Sequence, residues 1–269
     1  MIVFPNAKIN IGLRIGGKRA DGYHNLQTVF YPVPLYDVLE IIPNLYGKQD
    51  SFTQSGIPSD IPFQHNLVNK AIHLLRAKNY EIPPLDIHLH KNIPMGAGLG
   101  GGSADAAFTL KILNKLFRLN ISDEKLSGYS LQLGSDCPFF ILNKPASASG
   151  RGDELQPISL SLKDYNIVLI LPQIHVSTAE AFKLLQNFST DNPAEYLTLP
   201  VEDWKNHVLN DFEIPVFNMH PQLAEIKEEL LNKGAVFAAM SGTGSALYGI
   251  FKETPPKLHL PEEYRQIRI

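Results

Sequence analysis

The sequence has one cysteine, no long apolar run and no excess of basic residues. A single cysteine, Cys137, excludes an internal disulfide and favours a reducing compartment. No apolar stretch approaches the roughly 20 residues that cross a bilayer, and MIVFPNAKIN at the start lacks the features of a secretory signal. The formal net charge of -3 provides no cationic excess for nucleic-acid phosphates. We therefore expect a cytoplasmic protein that binds neither nucleic acid nor membrane.

The chain does have enough apolar residues for a substantial core. Of its 269 residues, 44% are hydrophobic, which is ample for one large domain or two smaller ones. Small and turn-forming residues are concentrated in KPASASGRGDELQPI at 144–158. We place a domain boundary there and predict domains at 1–150 and 151–269. Strand and helix patterns are mixed rather than strictly alternating, which predicts an α+β fold.

Apolar periodicity indicates where the main elements lie. Ile9, Ile11, Leu13 and Ile15 alternate with other residues, which predicts a half-buried strand. Further strands are predicted at 38–42, 85–89, 167–171 and 236–240. Helices are predicted after a cap at Asn66, from Ser103 onward, at 179–186 and at 221–232.

A glycine-rich stretch, PMGAGLGGGSADAA at 94–107, lies between a predicted strand and a predicted helix. Its glycines stand at 96, 98, 100, 101 and 102. Linker glycines rarely occupy such a place, which argues against a flexible surface loop. A helix N-terminus preceded by glycines offers N–H groups to an anion, so we predict a phosphate site here. Ser103 would cap the helix and offer a hydroxyl to a phosphate oxygen or a metal.

Several phosphate ligands are compatible with this loop. Gly96, Gly98 and Gly101 fit G-x-G-x-x-G and an acidic pair, Asp123 and Glu124, follows, which allows a dinucleotide. The preceding LDIHLH alternates, however, whereas a dinucleotide-binding strand is apolar on both faces. A P-loop is excluded by the missing G-K-[ST], and a protein kinase by the missing H-R-D and D-F-G. A mononucleotide triphosphate on a different fold remains.

Four other stretches have ordinary structural explanations when each is taken alone. Lys8 in PNAKIN would be a solvated strand residue, and RADGYHNL at 19–26 a D-G turn. Asp136 in GSDCPFF would cap a helix, and SGTGSALYG at 241–249 would form a tight turn. Together, two glycine-hydroxyl loops, an aspartate and a strand lysine favour phosphoryl transfer.

These stretches together resemble the successive motifs of the GHMP kinases. PNAKINIGL, RADGYHNLQTVF, PMGAGLGGGSADAA, GSDCPFF and SGTGSALYGIF follow in the family's order from about residue 2 to 251. The resemblance implies a two-domain fold with the active site in the cleft between the domains. RADGYH is typical of the branch that phosphorylates the 2-hydroxyl of 4-diphosphocytidyl-2-C-methyl-D-erythritol (CDP-methylerythritol) in the non-mevalonate isoprenoid pathway. Homoserine, mevalonate and galactose kinases keep the ATP loop without this motif.

The resemblance also implies roles for individual residues in phosphoryl transfer. Asp136 would accept the proton of the acceptor hydroxyl, and Lys8 would stabilise the developing negative charge. A non-catalytic nucleotide-binding regulator would need neither residue. ATP phosphates would lie on Pro94, Met95, Gly96, Ala97, Gly98, Leu99, Gly100, Gly101, Gly102, Ser103 and Ala104. Ser241, Gly242, Thr243, Gly244 and Ser245 would close over the phosphates and support that loop.

The acceptor site implied by the resemblance consists of five residues. Tyr23 and Phe182 would stack on the cytosine, and His24 would hydrogen-bond the edge of the base. Asn10 would position the acceptor, and Thr178 would contribute a hydroxyl. Mg²⁺ is expected to offset the triphosphate charge, but no paired-carboxylate motif identifies a metal ligand. The expected partner is therefore a small molecule, bound by a monomer or homodimer.

Overall fold

A computed structural model describes residues 1–59, 61–185 and 188–269. The chain divides into two compact units. Unit 1 comprises Met1–Ala7, Pro34–Met95 and Gly100–Lys144, and unit 2 comprises Lys8–Val33, Gly96–Leu99 and Pro145–Ile269. Both units contain helices and strands, which confirms the α+β class. No helix within the described ranges is long and apolar enough to span a bilayer.

The strands are numbered here in chain order. They are β1 (Ile2–Val3), β2 (Asn6–Lys18), β3 (His24–Tyr36), β4 (Val38–Pro43), β5 (Ser51–Gly56), β6 (Leu85–Lys91), β7 (Ala146–Ser149), β8 (Glu154–Pro157), β9 (Asn166–Leu171), β10 (Phe237–Met240), β11 (Leu247–Phe251) and β12 (Arg265–Arg268). The α-helices are α1 (Leu67–Ala77), α2 (Gly101–Leu116), α3 (Asp123–Leu131), α4 (Cys137–Leu142), α5 (Thr178–Lys183), α6 (Glu213–Met219) and α7 (Pro221–Asn232).

Unit 1 is built on a sheet of strand order β1-β4-β6-β5. β5 runs parallel to β6, and the other neighbouring pairs are antiparallel. Leu85, Ile87 and Leu89 of β6 are buried on one face of this sheet, as the alternation predicts. The Asn66 side chain accepts from the Val68 N–H and caps α1, which confirms the predicted helix start.

Unit 2 contains two further sheets and the helices α5, α6 and α7. One sheet has the order β2-β3-β7-β8 and the other β10-β11-β9-β12. Because β2 and β3 share a sheet with β7 and β8, residues 8–33 group by compactness with the chain after residue 145. The division into domains 1–150 and 151–269 stays a prediction, since compactness groups the residues differently.

Two details differ from the sequence-based expectations. β2 is buried on both faces rather than one, because polar Lys8 and Asn10 on its second face are enclosed as well. α2 begins at Gly101 with Gly100 as its N-cap, so Ser103 lies inside the first turn instead of capping it. The strands predicted at 38–42, 85–89, 167–171 and 236–240 and the helix at 221–232 are confirmed to within about two residues. The helix predicted at 179–186 is α5, Thr178–Lys183, which ends before Leu184; Gln186 lies outside the described residues.

An ionic cluster is buried in unit 1. Lys91 donates from Nζ to the Asp37 carboxylate and to Asp105 Oδ2, the latter at 2.7 Å. The backbone N–H of Ile93 donates to Asp37 Oδ1 at 2.9 Å. Burial above all, with the neighbouring Asp37, raises the pKa of Asp105 to about 7 against the opposing effect of Lys91. One proton in this cluster therefore titrates near neutrality.

The raised pKa of Asp105 predicts a pH-dependent stability. An aspartate in an unfolded chain titrates near pH ~4, so between that pH and about 7 the folded chain holds a proton that the unfolded chain has lost. The contribution of this group is complete below pH ~4 and is lost as the pH rises through 7, at up to about 1.4 kcal/mol per pH unit. Asp105→Asn removes this titration. The free energy of unfolding of the variant, relative to that of the wild type, should therefore increase from pH 5 to 8.

Urea denaturation at several pH values measures this difference. The control is Asp123→Asn at the exposed start of α3, which should follow the wild type across the range. A constant gap between Asp105→Asn and the wild type would show that Asp105 keeps an ordinary pKa.

Candidate active site

Asn10 is the centre of a buried hydrogen-bond network in unit 2. Its Oδ1 accepts from Lys8 Nζ at 2.5 Å, and its Nδ2 donates to Thr28 Oγ1 at 3.0 Å. Its backbone N–H donates to Ser241 Oγ at 3.1 Å, and its carbonyl accepts from the Tyr248 hydroxyl at 2.9 Å. Every polar group of Asn10 thus has a partner, as a residue only 3% exposed requires.

Lys8 is buried, which excludes the alternative explanation of this residue as a solvated strand lysine. Its ammonium donates to Asn10 and lies 4.9 Å from the centroid of the Phe30 ring. Its backbone N–H donates to the Leu99 carbonyl at 2.9 Å, which fixes the strand beside the glycine loop.

The loop Ser241–Ser245 contacts the glycine loop through hydrogen bonds inside unit 2. The Ser241 hydroxyl donates to the Gly98 carbonyl at 2.8 Å, and the Ala246 N–H donates to the Ala97 carbonyl at 3.2 Å. Ser245 anchors the second loop by donating to the Ile174 carbonyl at 2.6 Å. Two glycine-hydroxyl segments far apart in sequence therefore form one rigid structure, despite their low intrinsic conformational bias.

Gly98 is the residue at which these two loops approach most tightly. Its φ of +76° lies in the left-handed region, and a Cβ there would overlap the Ser241 carbonyl oxygen. Both facts require glycine. Gly102 is different, because a Cβ there would meet only Leu67 Cδ1 at 3.8 Å, which is ordinary contact. Packing within the described chain does not explain the glycine at 102.

The rest of the loop leads into α2, with Gly96 in unit 2 and Pro94, Met95 and Gly100 in unit 1. Pro94 is half-buried, Met95 is exposed, and Gly96 and Gly100 take positive φ values of +68° and +72°. Gly101 packs closely, since a Cβ would lie 2.8 Å from Ile93 Cγ2. The Ala104 N–H donates to the Gly100 carbonyl at 2.9 Å. The N-cap residue Gly100 has no side chain, so it provides no capping acceptor for the first N–H groups of α2.

Asp136 and Ser103 are both in unit 1. Asp136 is half-buried at the N-cap position of α4, but its carboxylate makes no capping hydrogen bond there within the described chain. The expected cap therefore does not account for this aspartate. Ser103 hydrogen-bonds the Cys137 thiol, whose pKa burial raises to about 12. The start of α2 and the residue after Asp136 are thereby in contact.

The residues expected to bind a base lie in unit 2. His24 stacks on Phe182, with ring centroids 5.1 Å apart, and on Phe188, at 5.8 Å. Phe182 is braced by an edge contact with buried Phe212. Tyr23 is 55% exposed. A base between Tyr23 and Phe182 stays a prediction, because Phe182 here packs on His24.

Thr178 is exposed at the first position of α5, and its hydroxyl lies 3.2 Å from that of Thr243. The two threonines link the expected acceptor site to the Ser241–Ser245 loop. Gly242 and Gly244 of that loop take positive φ values of +59° and +86°.

Unit 2 thus brings Lys8, Asn10, Gly98 and Ser241 together, and separately His24 with Phe182. Lys8 and Asp136 are in different compact units, so their joint action stays a prediction. Sequence reasoning missed Thr28, whose hydroxyl donates to the Gly12 carbonyl at 2.5 Å and accepts from Asn10. It also missed Phe188. Thr28 lies within the quoted motif RADGYHNLQTVF and Phe188 lies outside every motif, but the role of each depends on a contact that only folding creates.

Comparisons with known proteins agree with the motif order. The family descriptions GHMP kinases N terminal domain and GHMP kinases C terminal match residues 66–144 and 181–260. The chain is 53% identical over 253 residues to the 4-diphosphocytidyl-2-C-methyl-D-erythritol kinase of Bacteroides fragilis (strain YCH46), covering 93% of this chain and 92% of that protein. The protein of that name from Azobacteroides pseudotrichonymphae genomovar. CFP2 is 50% identical over 255 residues, 94% of each chain. The chain therefore belongs to the GHMP kinase family.

A solved structure gives the same result for the fold. A crystal structure of 4-(cytidine 5'-diphospho)-2C-methyl-D-erythritol kinase matches with a TM-score of 0.79 and 32% identity, over 93% of this chain and 90% of that one. The expected fold of two GHMP domains is confirmed, and the protein is an enzyme of the kinase class.

The two glycines of the loop predict opposite effects of alanine on stability. Gly98→Ala places a Cβ at positive φ against a backbone carbonyl, so it should destabilise unit 2 by about 1–3 kcal/mol. Gly102→Ala adds a better helix former in open space and should be neutral or stabilising by up to about 1 kcal/mol. Urea unfolding of both variants measures the difference. Equal stabilities would mean that the Gly98–Ser241 approach is not a constraint.

Proposed function

We propose that this chain transfers the γ-phosphoryl group of ATP to the 2-hydroxyl of CDP-methylerythritol, a step of the non-mevalonate isoprenoid pathway. The observation that carries the proposal is the placement of His24. Its ring stacks on two phenylalanine rings, which hold the plane of the imidazole and leave its nitrogens at the ring edge, where recognition of a base edge requires them. Relatives of 50% and 53% identity that bear this enzyme's name support the same substrate.

The glycine loop and the start of α2 would hold the ATP phosphates. The 16-residue helix α2 offers N–H groups and a partial positive charge, and Gly102 leaves space where a side chain would stand. This cradle fits a triphosphate. Mg²⁺ would offset the phosphate charge, with phosphate oxygens and water as its main ligands. No cluster of three acidic, histidine or cysteine ligands is found in the described ranges.

Lys8 and Asp136 would carry the chemistry. Asp136 would accept the proton of the attacking hydroxyl, the role that its place in the motif GSDCPFF supports. Lys8 would stabilise the charge on the transferred phosphoryl group. Its ammonium is held at 2.5 Å by Asn10 Oδ1. Asn10 would in turn place the acceptor hydroxyl, using the hydrogen-bonding capacity that its amide retains.

Tyr23 would contribute affinity for the nucleobase, and His24 would contribute specificity for cytosine. An exposed tyrosine ring stacks on any base, and a hydrogen bond at the histidine edge distinguishes cytosine from uracil. Thr178 and Phe182 would complete the acceptor site. We place this reaction in the cytoplasm, performed by a monomer or homodimer on a small molecule without nucleic acid or membrane.

The test is a substrate panel followed by ADP release. The protein, ATP and Mg²⁺ are combined with CDP-methylerythritol, its uridine analogue, homoserine, mevalonate or galactose. We expect turnover of CDP-methylerythritol above all, and a loss of roughly 10²-fold or more in Asp136→Asn. Asp164→Asn, an exposed aspartate outside the motifs, is the matched control.

A His24→Ala arm tests the acceptor assignment in the same assay. In this variant the ratio of kcat/KM for CDP-methylerythritol to kcat/KM for its uridine analogue should fall toward one. The KM for ATP should stay unchanged. Turnover of homoserine, mevalonate or galactose instead, or full activity in Asp136→Asn, would contradict the proposed function.

A further inference from the structure

Arg151 covers one face of the Tyr23 ring. Its guanidinium carbon lies 5.1 Å from the ring centroid, within the range of a cation–π contact. The roles so far assigned do not include Arg151, which lies in the turn between β7 and β8. Tyr23 is mostly exposed, so without such a contact its ring would exchange between rotamers in water.

The turn holds Arg151 in a fixed position. Its backbone N–H donates to Asp153 Oδ1 at 2.9 Å, and its guanidinium pairs with Asp153 Oδ2 at 3.2 Å. The turn is attached to the strand that follows Tyr23, because the Leu26 N–H donates to the Gly150 carbonyl at 2.9 Å. Arg151 is therefore a braced cation rather than a free surface arginine.

The Tyr23 backbone is fixed independently on the other side of this contact. Its N–H donates to Asp21 Oδ1 at 3.1 Å, and its carbonyl accepts from the Arg19 N–H at 2.7 Å. Arg19 also pairs with the Asp21 carboxylate at 3.2 Å. With the backbone fixed, the χ1 and χ2 torsions of Tyr23 remain to be set, and the Arg151 guanidinium over the ring restricts them.

We propose that Arg151 is a positioning residue for nucleobase binding, which acts by holding the Tyr23 ring with one face covered and the opposite face open to a base. This inference rests on the proposed function, since it takes the pyrimidine of the acceptor nucleotide as the ligand. A ring held before binding spares the ordering cost that a free ring would incur. Arg151 should therefore affect the affinity for the base and leave the rate of phosphoryl transfer unchanged.

A double-mutant cycle in the intact enzyme tests the inference. Arg151→Ala should raise the KM for CDP-methylerythritol about 3- to 5-fold, the scale of an exposed cation–π contact. The KM for the uridine analogue should rise by the same factor, while kcat and the KM for ATP stay unchanged. Added to Tyr23→Ala, the same substitution should have no further effect, because the ring through which it acts is absent.

Two further variants keep the result decisive. Arg151→Gln retains a donor for Asp153 without the guanidinium, so it should reproduce the Arg151→Ala result even if alanine perturbs the turn. Arg268→Ala, an exposed arginine of β12 in the same unit, should match the wild type. An unchanged KM in both Arg151 variants, or an equal further rise on the Tyr23→Ala background, would overturn the inference. Absence of any CDP-methylerythritol turnover in the wild type would instead overturn the proposed function.

Discussion

The hydrogen bonds of Asn10 are the constraint on which the candidate site in unit 2 depends. One buried residue joins the ammonium of Lys8, the hydroxyl of Thr28 and the hydroxyl of Ser241. Removing any member leaves the hydrogen-bond partner of that residue unsatisfied. A buried polar group without a partner costs about 1–3 kcal/mol, so each removal should destabilise the site. The network therefore holds its members as a set. It places a cation, a loop and a strand in fixed relation before any ligand binds.

This network also explains how a glycine-rich loop becomes ordered. Glycines lose more conformational freedom on folding than other residues, and nothing in their own side chains compensates. Here the Gly98 and Ala97 carbonyls accept hydrogen bonds from Ser241 and Ala246 of the second loop. Ser241 is held in turn by Asn10. A preorganised set of backbone N–H groups gains more from binding phosphate than a mobile loop would, because its ordering cost has been met during folding.

The sequence predicted the regular elements well, and it predicted the tertiary contacts poorly. Apolar alternation predicted β6, and the capping residue Asn66 predicted the start of α1, because both signals are local in the sequence. Taken alone, the strand pattern around Lys8 is compatible with a solvated lysine. Its contacts with Phe30 and Asn10 arise only in the folded chain. The roles of Thr28, Phe188 and Arg151 could not be predicted for the same reason, although Thr28 lies within the quoted motif RADGYHNLQTVF. The motif resemblance supplied roles that periodicity could not, and the family comparison supports the kinase class without testing each role.

The most direct test of the central claim is a kinetic cycle between Lys8 and Asn10. The claim is that Asn10 raises turnover by holding the Lys8 ammonium, whereas its proposed contact with the acceptor hydroxyl acts on substrate affinity, which saturation removes from the comparison. Turnover at saturating ATP and CDP-methylerythritol is measured for Lys8→Ala, Asn10→Ala and the double variant, with thermal unfolding as the check on folding. The account predicts that the double variant is about as slow as Lys8→Ala alone, since the residue through which Asn10 acts is absent. Multiplicative losses would mean that Asn10 contributes independently of Lys8, and would contradict the claim.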